Sequence, residues 1–316
     1  MPDQLHHSTP GLTSRAYEGV RDLSNMLDLL MEARSQTDDW HCAHVGELLW
    51  NYLVLSSHRP EREHIRLWHE LAGKLAGYAL LREDSRVDWE VLPRYEGAGI
   101  EEEALVWAEG RLAELRARGP EKWKKKLTTG VRVDDAERIA FLERHGFGLG
   151  KYAEVNMIRS LDGPTPQAAV PAGYVMRAVE QQDVHSRAEA ERVVWFPYSD
   201  GDIPDEHYAR LMTLPGYVRE LDLAAVTPDG VVAANLNAWP DPVNRIGDFG
   251  PVGTRAEHRR KGLQRALMLE GMRRLREHGM ERVCVSTGVQ NLAAQALYQS
   301  VGFRIVNRWQ EWVKAE

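Results

Sequence analysis

The chain has 316 residues, of which 43% are hydrophobic and 28% charged, and a formal net charge of −7 at pH 7. That length suits two cores of about 150 residues each, the acidic balance argues against a nucleic-acid binder, and no apolar run approaches the roughly 20 residues of a membrane span. Cys42 and Cys284 lie far apart with no CxxC pair, and residues 1–10 lack a basic-then-apolar signal pattern, so a cytoplasmic, reducing setting is expected.

Residues 14–34 read as an amphipathic helix, because Val20, Leu23, Leu27 and Leu30 recur at spacings of three and four. Residues 64–70 and 74–82 read as strands around the Ala72-Gly73 turn, and 87–92 as a third. Residues 101–116 form a predicted helix opened by three glutamates, which suit the positive end of its dipole. A strand at 127–133, a short helix at 135–145 and an extended run from Gly146 to Ile158 complete the order β-β-β-α-β-α-β after the first helix. Residues 161–173, LDGPTPQAAVPAG, read as a linker.

Beyond the linker come a strand at 174–178, helical stretches at 187–194 and 206–212, and strands at 223–226 and 231–239 around the Pro228-Asp229-Gly230 turn. An extended run at 245–254 leads through a basic turn into a helix from Gly262, marked by Leu263, Ala266, Leu267 and Leu275. A strand at 282–286 follows, then a second short helix with Asn291, Ala294 and Tyr298 on successive turns. The order of elements repeats. The spacing from Gly146 to Gly302 nearly equals that from Gly99 to Gly262, which suggests a tandem duplication.

Arg259, Arg260 and Lys261 precede Gly262 where a helix begins, so unpaired N–H groups, the helix dipole and three cations converge on a spot suited to a polyanion. RRKGLQ from Arg259 to Gln264, followed by NLAAQALYQSVGF from Asn291 to Phe303, resembles the acyl-CoA signature of the GNAT superfamily of N-acetyltransferases. The first segment resembles its pyrophosphate loop, R/Q-x-x-G-x-G/A, and the second its Asn-to-Tyr helix. Gln264 stands where the loop pattern has a small residue, and is expected to hold the backbone farther from the cofactor than glycine would.

The resemblance implies an α/β fold of two tandem GNAT-like domains, each a mixed, mostly antiparallel twisted sheet flanked by helices: a degenerate one over 1–160 and an acetyltransferase over 174–316. It implies acetyl-CoA as co-substrate, no metal, and a binding surface of Val252, Gly253, Thr254, Arg259, Arg260, Lys261, Gly262, Leu263, Gln264, Arg265, Asn291 and Ala294. In the first copy Glu96, Gly99 and Glu101 align with Arg259, Gly262 and Gln264, Asp135 with Asn291, and Leu142 with Tyr298. Acidic side chains repel a pyrophosphate, so the first half is expected to be structural or substrate-shaping.

An amine acceptor is mostly protonated at neutral pH, with a lysine-like pKa of about 10.4, so a carboxylate must take a proton. Asp248 is the one acid in IGDFGPVG and is the expected base, matching the place where tandem relatives in the family carry an acid; the alternative is a solvated strand edge or a pair with Arg245. Asp200, Asp202, Asp205 and Glu206 stand in reserve. The resemblance makes Tyr298 the acid that protonates the departing thiolate, and a backbone N–H near 252–254 the oxyanion donor.

Asp38, Asp39, His41, Cys42 and His44 lack a second ligand pair at metal spacing, and the basic run 122–126 around Trp123 reads as a solvated loop. Trp195, Trp239, Trp309 and Trp312 read as core, or else as an acceptor pocket. The expected activity is direct acetyl transfer to a primary amine of a small molecule, by a monomer or homodimer with no nucleic-acid or membrane partner. A longer acyl-CoA, or silent acyl-CoA binding, is the alternative.

Overall fold

The computed structural model describes residues 11–38, 40, 42–55, 61–82, 84–118, 126–195 and 203–315. The expectations placed on Asp39, His41, residues 122–125, Asp200 and Asp202 lie outside the described residues.

The N-terminal half runs β1 (Leu12–Ala16), α1 (Val20–Gln36), α2 (Val45–Leu55), β2 (Ile65–Glu70), β3 (Leu75–Leu81), β4 (Val87–Val91), α3 (Ile100–Arg118), β5 (Thr128–Arg132), α4 (Ala136–Arg144) and β6 (Phe147–Ser160). Two elements differ from expectation. The stretch read as one helix from residue 14 begins as a strand, because β1 pairs antiparallel with β2, Leu12 opposite Glu70. Helix α2 escapes a periodicity search because VGELLWNYLVL is apolar on nearly every side, as suits a helix buried between other elements.

The C-terminal half runs β7 (Val175–Ala178), α5 (Val184–Trp195), α6 (Asp205–Leu211), β8 (Asp222–Val226), β9 (Val232–Asp241), β10 (Ile246–Thr254), α7 (Leu263–Glu277), β11 (Arg282–Gly288), α8 (Leu292–Ser300) and β12 (Arg304–Lys314). Strands β1-β2-β3-β4 form one sheet, and a second has the order β5-β12-β6-β11-β10-β9-β8-β7. Nearly all neighbours are antiparallel, while β10 and β11 run parallel. The last strand of each half is inserted beside the other half: β6 pairs with β11, and β12 pairs with β5 and with β6.

The repeat extends to local geometry. A short 3-10 turn (Pro93–Tyr95) precedes Gly99 at φ +105 and the start of α3, just as another (Ala256–His258) precedes Gly262 at φ +81 and the start of α7. Asp135 caps α4 by accepting the Arg138 N–H at 3.0 Å, and Asn291 caps α8 by accepting the Ala294 N–H at 3.2 Å. The aligned Asp and Asn therefore do the same structural work.

One core joins the halves. Leu23, Leu27, Leu30, Leu48 and Leu49 from α1 and α2 pack with Val184, Ala188, Tyr208, Leu211 and Trp239 of the C-terminal half. Helices α7 and α8 pack on the opposite face of the large sheet, with Leu236, Phe249, Leu267, Met272, Tyr298 and Phe303 in contact. Asp248 thus lies in a strand covered on both sides, and one cover comes from the other half of the chain.

Candidate active site

Strands β10 and β11 pair from Ile246 opposite Arg282 to Phe249 opposite Val285, and then part. Beyond that rung β10 follows β9 alone, down to Thr254 opposite Ala234, while β11 follows β6 to Gly288 opposite Glu154. A register break between Phe249 and Val252 takes Gly250 and Pro251 out of the β9 ladder, and the indole N–H of Trp239 donates to the freed Gly250 carbonyl. The result is a V-shaped gap between two parallel strands, with unpaired backbone groups along the β10 side.

Asp248 sits one rung before the gap, half-buried, opposite Cys284 on one side and Trp239 on the other. Burial pushes its carboxyl up to about 6, against the pull of a Cys284 thiol hydrogen bond, the Arg34 guanidinium and the Phe249 backbone. Arg245, considered as a partner for Asp248, pairs with Glu281 instead. Tyr298 is 5% exposed, and among the described residues no group hydrogen-bonds its hydroxyl. Burial raises its pKa first, and the negative charge of Asp248 raises it further, so the phenol stays protonated. The site thus places a carboxyl whose pKa is raised toward neutrality near a phenol that stays protonated, the pairing of groups that proton transfer requires.

The gap leads to the start of α7. Gly262 is the N-cap in a left-handed conformation and no side chain caps the helix, so its first N–H groups face outward. Arg259 donates from Nε to the Thr254 carbonyl at 3.2 Å, and Lys261 Nζ donates to the Tyr174 hydroxyl at 2.9 Å. Arg259, Arg260, Lys261 and Arg265 are exposed around this turn. The Gln264 amide turns into the sheet, donating to the Asn235 carbonyl at 3.2 Å and accepting from Thr254 Oγ1 at 3.1 Å, which accommodates a large residue at a small-residue position. Gly253 faces Asn235 and Val194, where a Cβ would meet atoms at 3.1 and 3.2 Å. Leu263 is core, and Val252 and Ala294 are half-buried against the same core. Asn291 precedes α8 as its cap rather than lying on its first turn.

Among the reserve acids, Asp205 is tied to His185 at 2.6 Å and to Arg192 at 3.1 Å, and Glu206 lies exposed on α6. The four tryptophans divide: Trp239 lies fully buried at the site, Trp312 packs in the core under α3, and Trp195 is exposed. Trp309 sits half-buried opposite Glu154 and Arg132. Among the described residues no cluster of His, Cys, Asp or Glu could hold a metal. Cys42 and His44 are core groups, the thiol facing the Leu30 carbonyl and the imidazole wedged between the Gly46 N–H and the Ile246 carbonyl.

Cys284 and Arg34 were not singled out as site residues in the sequence, and Trp239 was offered only as core or as part of an acceptor pocket. Trp239 was within reach of it, since the β9–β10 hairpin register follows from its turn. Cys284 was not, because the parallel pairing depends on a crossover through α7.

In the first half two side chains crowd the aligned segments. The Glu101 carboxylate accepts the Gly97 N–H at 3.0 Å, inside the loop that precedes α3. Arg86, ion-paired with Asp88 at 2.7 Å, lies so close to Gly130 of β5 that a Cβ there would stand 2.9 Å from its guanidinium.

The fold is the one seen in GNAT proteins, and residues 187–303 match the model of the acetyltransferase (GNAT) family. Similar curated proteins are named mycothiol acetyltransferase. One from Arthrobacter sp. is 24% identical over 75% of this chain and 73% of its own length, and one from Paenarthrobacter aurescens is 27% identical over 50% and 51%. A third, from Thermobispora bispora, is 42% identical over 20% of this chain and 21% of its own length. Among solved structures, a GCN5-related N-acetyltransferase from Sphaerobacter thermophilus has a TM-score of 0.61 at 22% identity, covering 96% of both chains. A tandem GNAT protein from the clavulanic acid biosynthesis pathway has a TM-score of 0.63 at 19% identity, covering 95% of this chain and 97% of that one.

Proposed function

We propose that the chain transfers an acetyl group from acetyl-CoA to a primary amine of a small molecule, with the chemistry in its C-terminal half. The observation that carries this reading is the parting of β10 from β11 one rung past Asp248, into a gap that ends at the uncapped, cation-ringed start of α7. A pantetheine arm fits the β10 edge through backbone hydrogen bonds, and its diphosphate fits the helix N-terminus. The amine nitrogen attacks the thioester carbonyl carbon while Asp248 takes a proton from it. The carbon–sulfur bond then breaks, and Tyr298 gives a proton to the leaving sulfur. A β10 N–H beside the bulge stabilises the oxyanion in between. No acyl-enzyme intermediate is needed.

The N-terminal half acts in this reading as a scaffold. Its loop N–H is taken by Glu101 and Arg86 crowds Gly130 of β5, while α1 and α2 cover the C-terminal site. Relatives named mycothiol acetyltransferase favour a small-molecule acceptor over a protein or nucleic acid. The test is thiol release from acetyl-CoA against a panel of small amines. Amine-dependent release is expected; CoA binding without turnover of any amine, or turnover only with longer acyl-CoAs, would overturn the reading.

A further inference from the structure

Asp248 is approached from every element packed around it. Cys284 of β11 stands opposite, its Sγ 3.3 Å from Asp248 Oδ1 and equally 3.3 Å from the Gly247 carbonyl oxygen. Arg34 of α1 brings a buried guanidinium that pairs with Asp241 at 3.5 Å and donates to the Cys42 and Ala43 carbonyls. Tyr298 of α8 is neutral, and Trp239 of β9 spends its N–H on Gly250. His44, just before α2, is held uncharged by burial and by Arg34, its ring nitrogen facing the Ile246 carbonyl at 3.4 Å.

The thiol is therefore the one side-chain donor in hydrogen-bond contact with the carboxylate among the described residues. Its single proton lies within reach of both the carboxylate and the Gly247 carbonyl. Cys284 is only 4% exposed, so bulk water does not compete for that proton. When Asp248 is ionised its oxygen is the stronger acceptor and draws the S–H bond; when Asp248 is protonated the Gly247 carbonyl is the better choice.

We propose that Cys284 is a positioning residue for Asp248, whose thiol donates to the ionised carboxylate, orients it beside the strand gap, and swings to the Gly247 carbonyl when the carboxylate takes up a proton. This rests on the reading of Asp248 as the base, and it gives that base a local partner that responds to its charge. The donor favours the charged form, so removing it must raise the pH at which the carboxyl ionises.

The test uses the whole chain without any acceptor. The Asp248 carboxyl is titrated by carbon-13 NMR, its signal assigned by loss in Asp248→Asn, and the Cys284 S–H stretching band is followed by infrared spectroscopy, separated from Cys42 by Cys284→Ala. Cys284→Ala is expected to move the midpoint up by about half a unit or more, roughly a threefold loss of carboxylate below the midpoint. Cys284→Ser, with a stronger donor, is expected to return it to the wild-type value or below. The wild-type S–H band should shift as Asp248 titrates, a readout that needs no variant to fold. A band indifferent to pH, or an unmoved midpoint in both variants, would overturn the proposal. If instead Asp248→Asn leaves the pH dependence of turnover intact, the base assignment fails while the titration still reports on Cys284.

Discussion

Gly46 of α2 lies so close to the indole of Trp239 in β9 that a Cβ on it would stand 2.3 Å from two ring carbons. The contact joins the two halves of the chain, and the same indole holds the Gly250 carbonyl in the bulge beside Asp248. Gly46→Ala should therefore act twice. Overpacking should lower stability by about 1–3 kcal/mol, read from thermal or urea unfolding. The displaced ring should also lower turnover more than CoA affinity, read by comparing kcat with a calorimetric Kd.

The two loop glycines share a left-handed backbone, yet only one is assigned to a cofactor. Gly262→Asp adds both strain and a repelling charge at the start of α7, and should weaken CoA binding by at least about tenfold. Gly99→Asp imposes the same strain before α3 and should lower stability by about 1–2 kcal/mol while leaving CoA affinity unchanged. Calorimetric titration of both variants with CoA checks the contrast, and equal losses would remove the loop assignment.

The acid side of the rate profile follows from Asp248. A base works only when deprotonated, and burial places its carboxyl at about 6, so kcat/KM should rise with pH through a midpoint near that value. Asp248→Asn should abolish this limb. Tyr298, raised above its ordinary value, stays protonated through neutral pH; Tyr298→Phe should lower kcat by about 10- to 100-fold while the CoA Kd holds.

Asn291 caps α8, and aspartate does the same for α4 at the aligned position. Asn291→Ala should cost about 1 kcal/mol of stability, whereas Asn291→Asp should be nearly neutral. Urea unfolding of the two variants measures the difference. A CoA affinity unaffected by either change would leave Asn291 with a capping role alone.

Much of this architecture was legible because its signals are local. The loop glycines, the apolar repeat of α7 and the Pro228-Asp229-Gly230 turn between β8 and β9 are short-range patterns that packing left in place. Helix α2 was hidden because a helix covered on most sides needs no polar face, and β1 because five residues that pair with β2 also continue the period of α1. The candidate base was visible as a lone acid in an apolar strand. What surrounds it was not, because Cys284 arrives through a parallel crossover and Arg34 from more than two hundred residues away, and such placements are set by tertiary packing.

The traded strands β6 and β12 carry a meaning for how such a chain arises. Two identical single-unit ancestors, each lending its terminal strand to the other, would have formed an obligate pair with no free sheet edge at the join. Fusing their genes converts that swapped dimer into one continuous polypeptide, and thereafter neither unit is whole without its sibling. One unit is then free to lose its own chemistry, since it is retained as the keystone of the other's sheet.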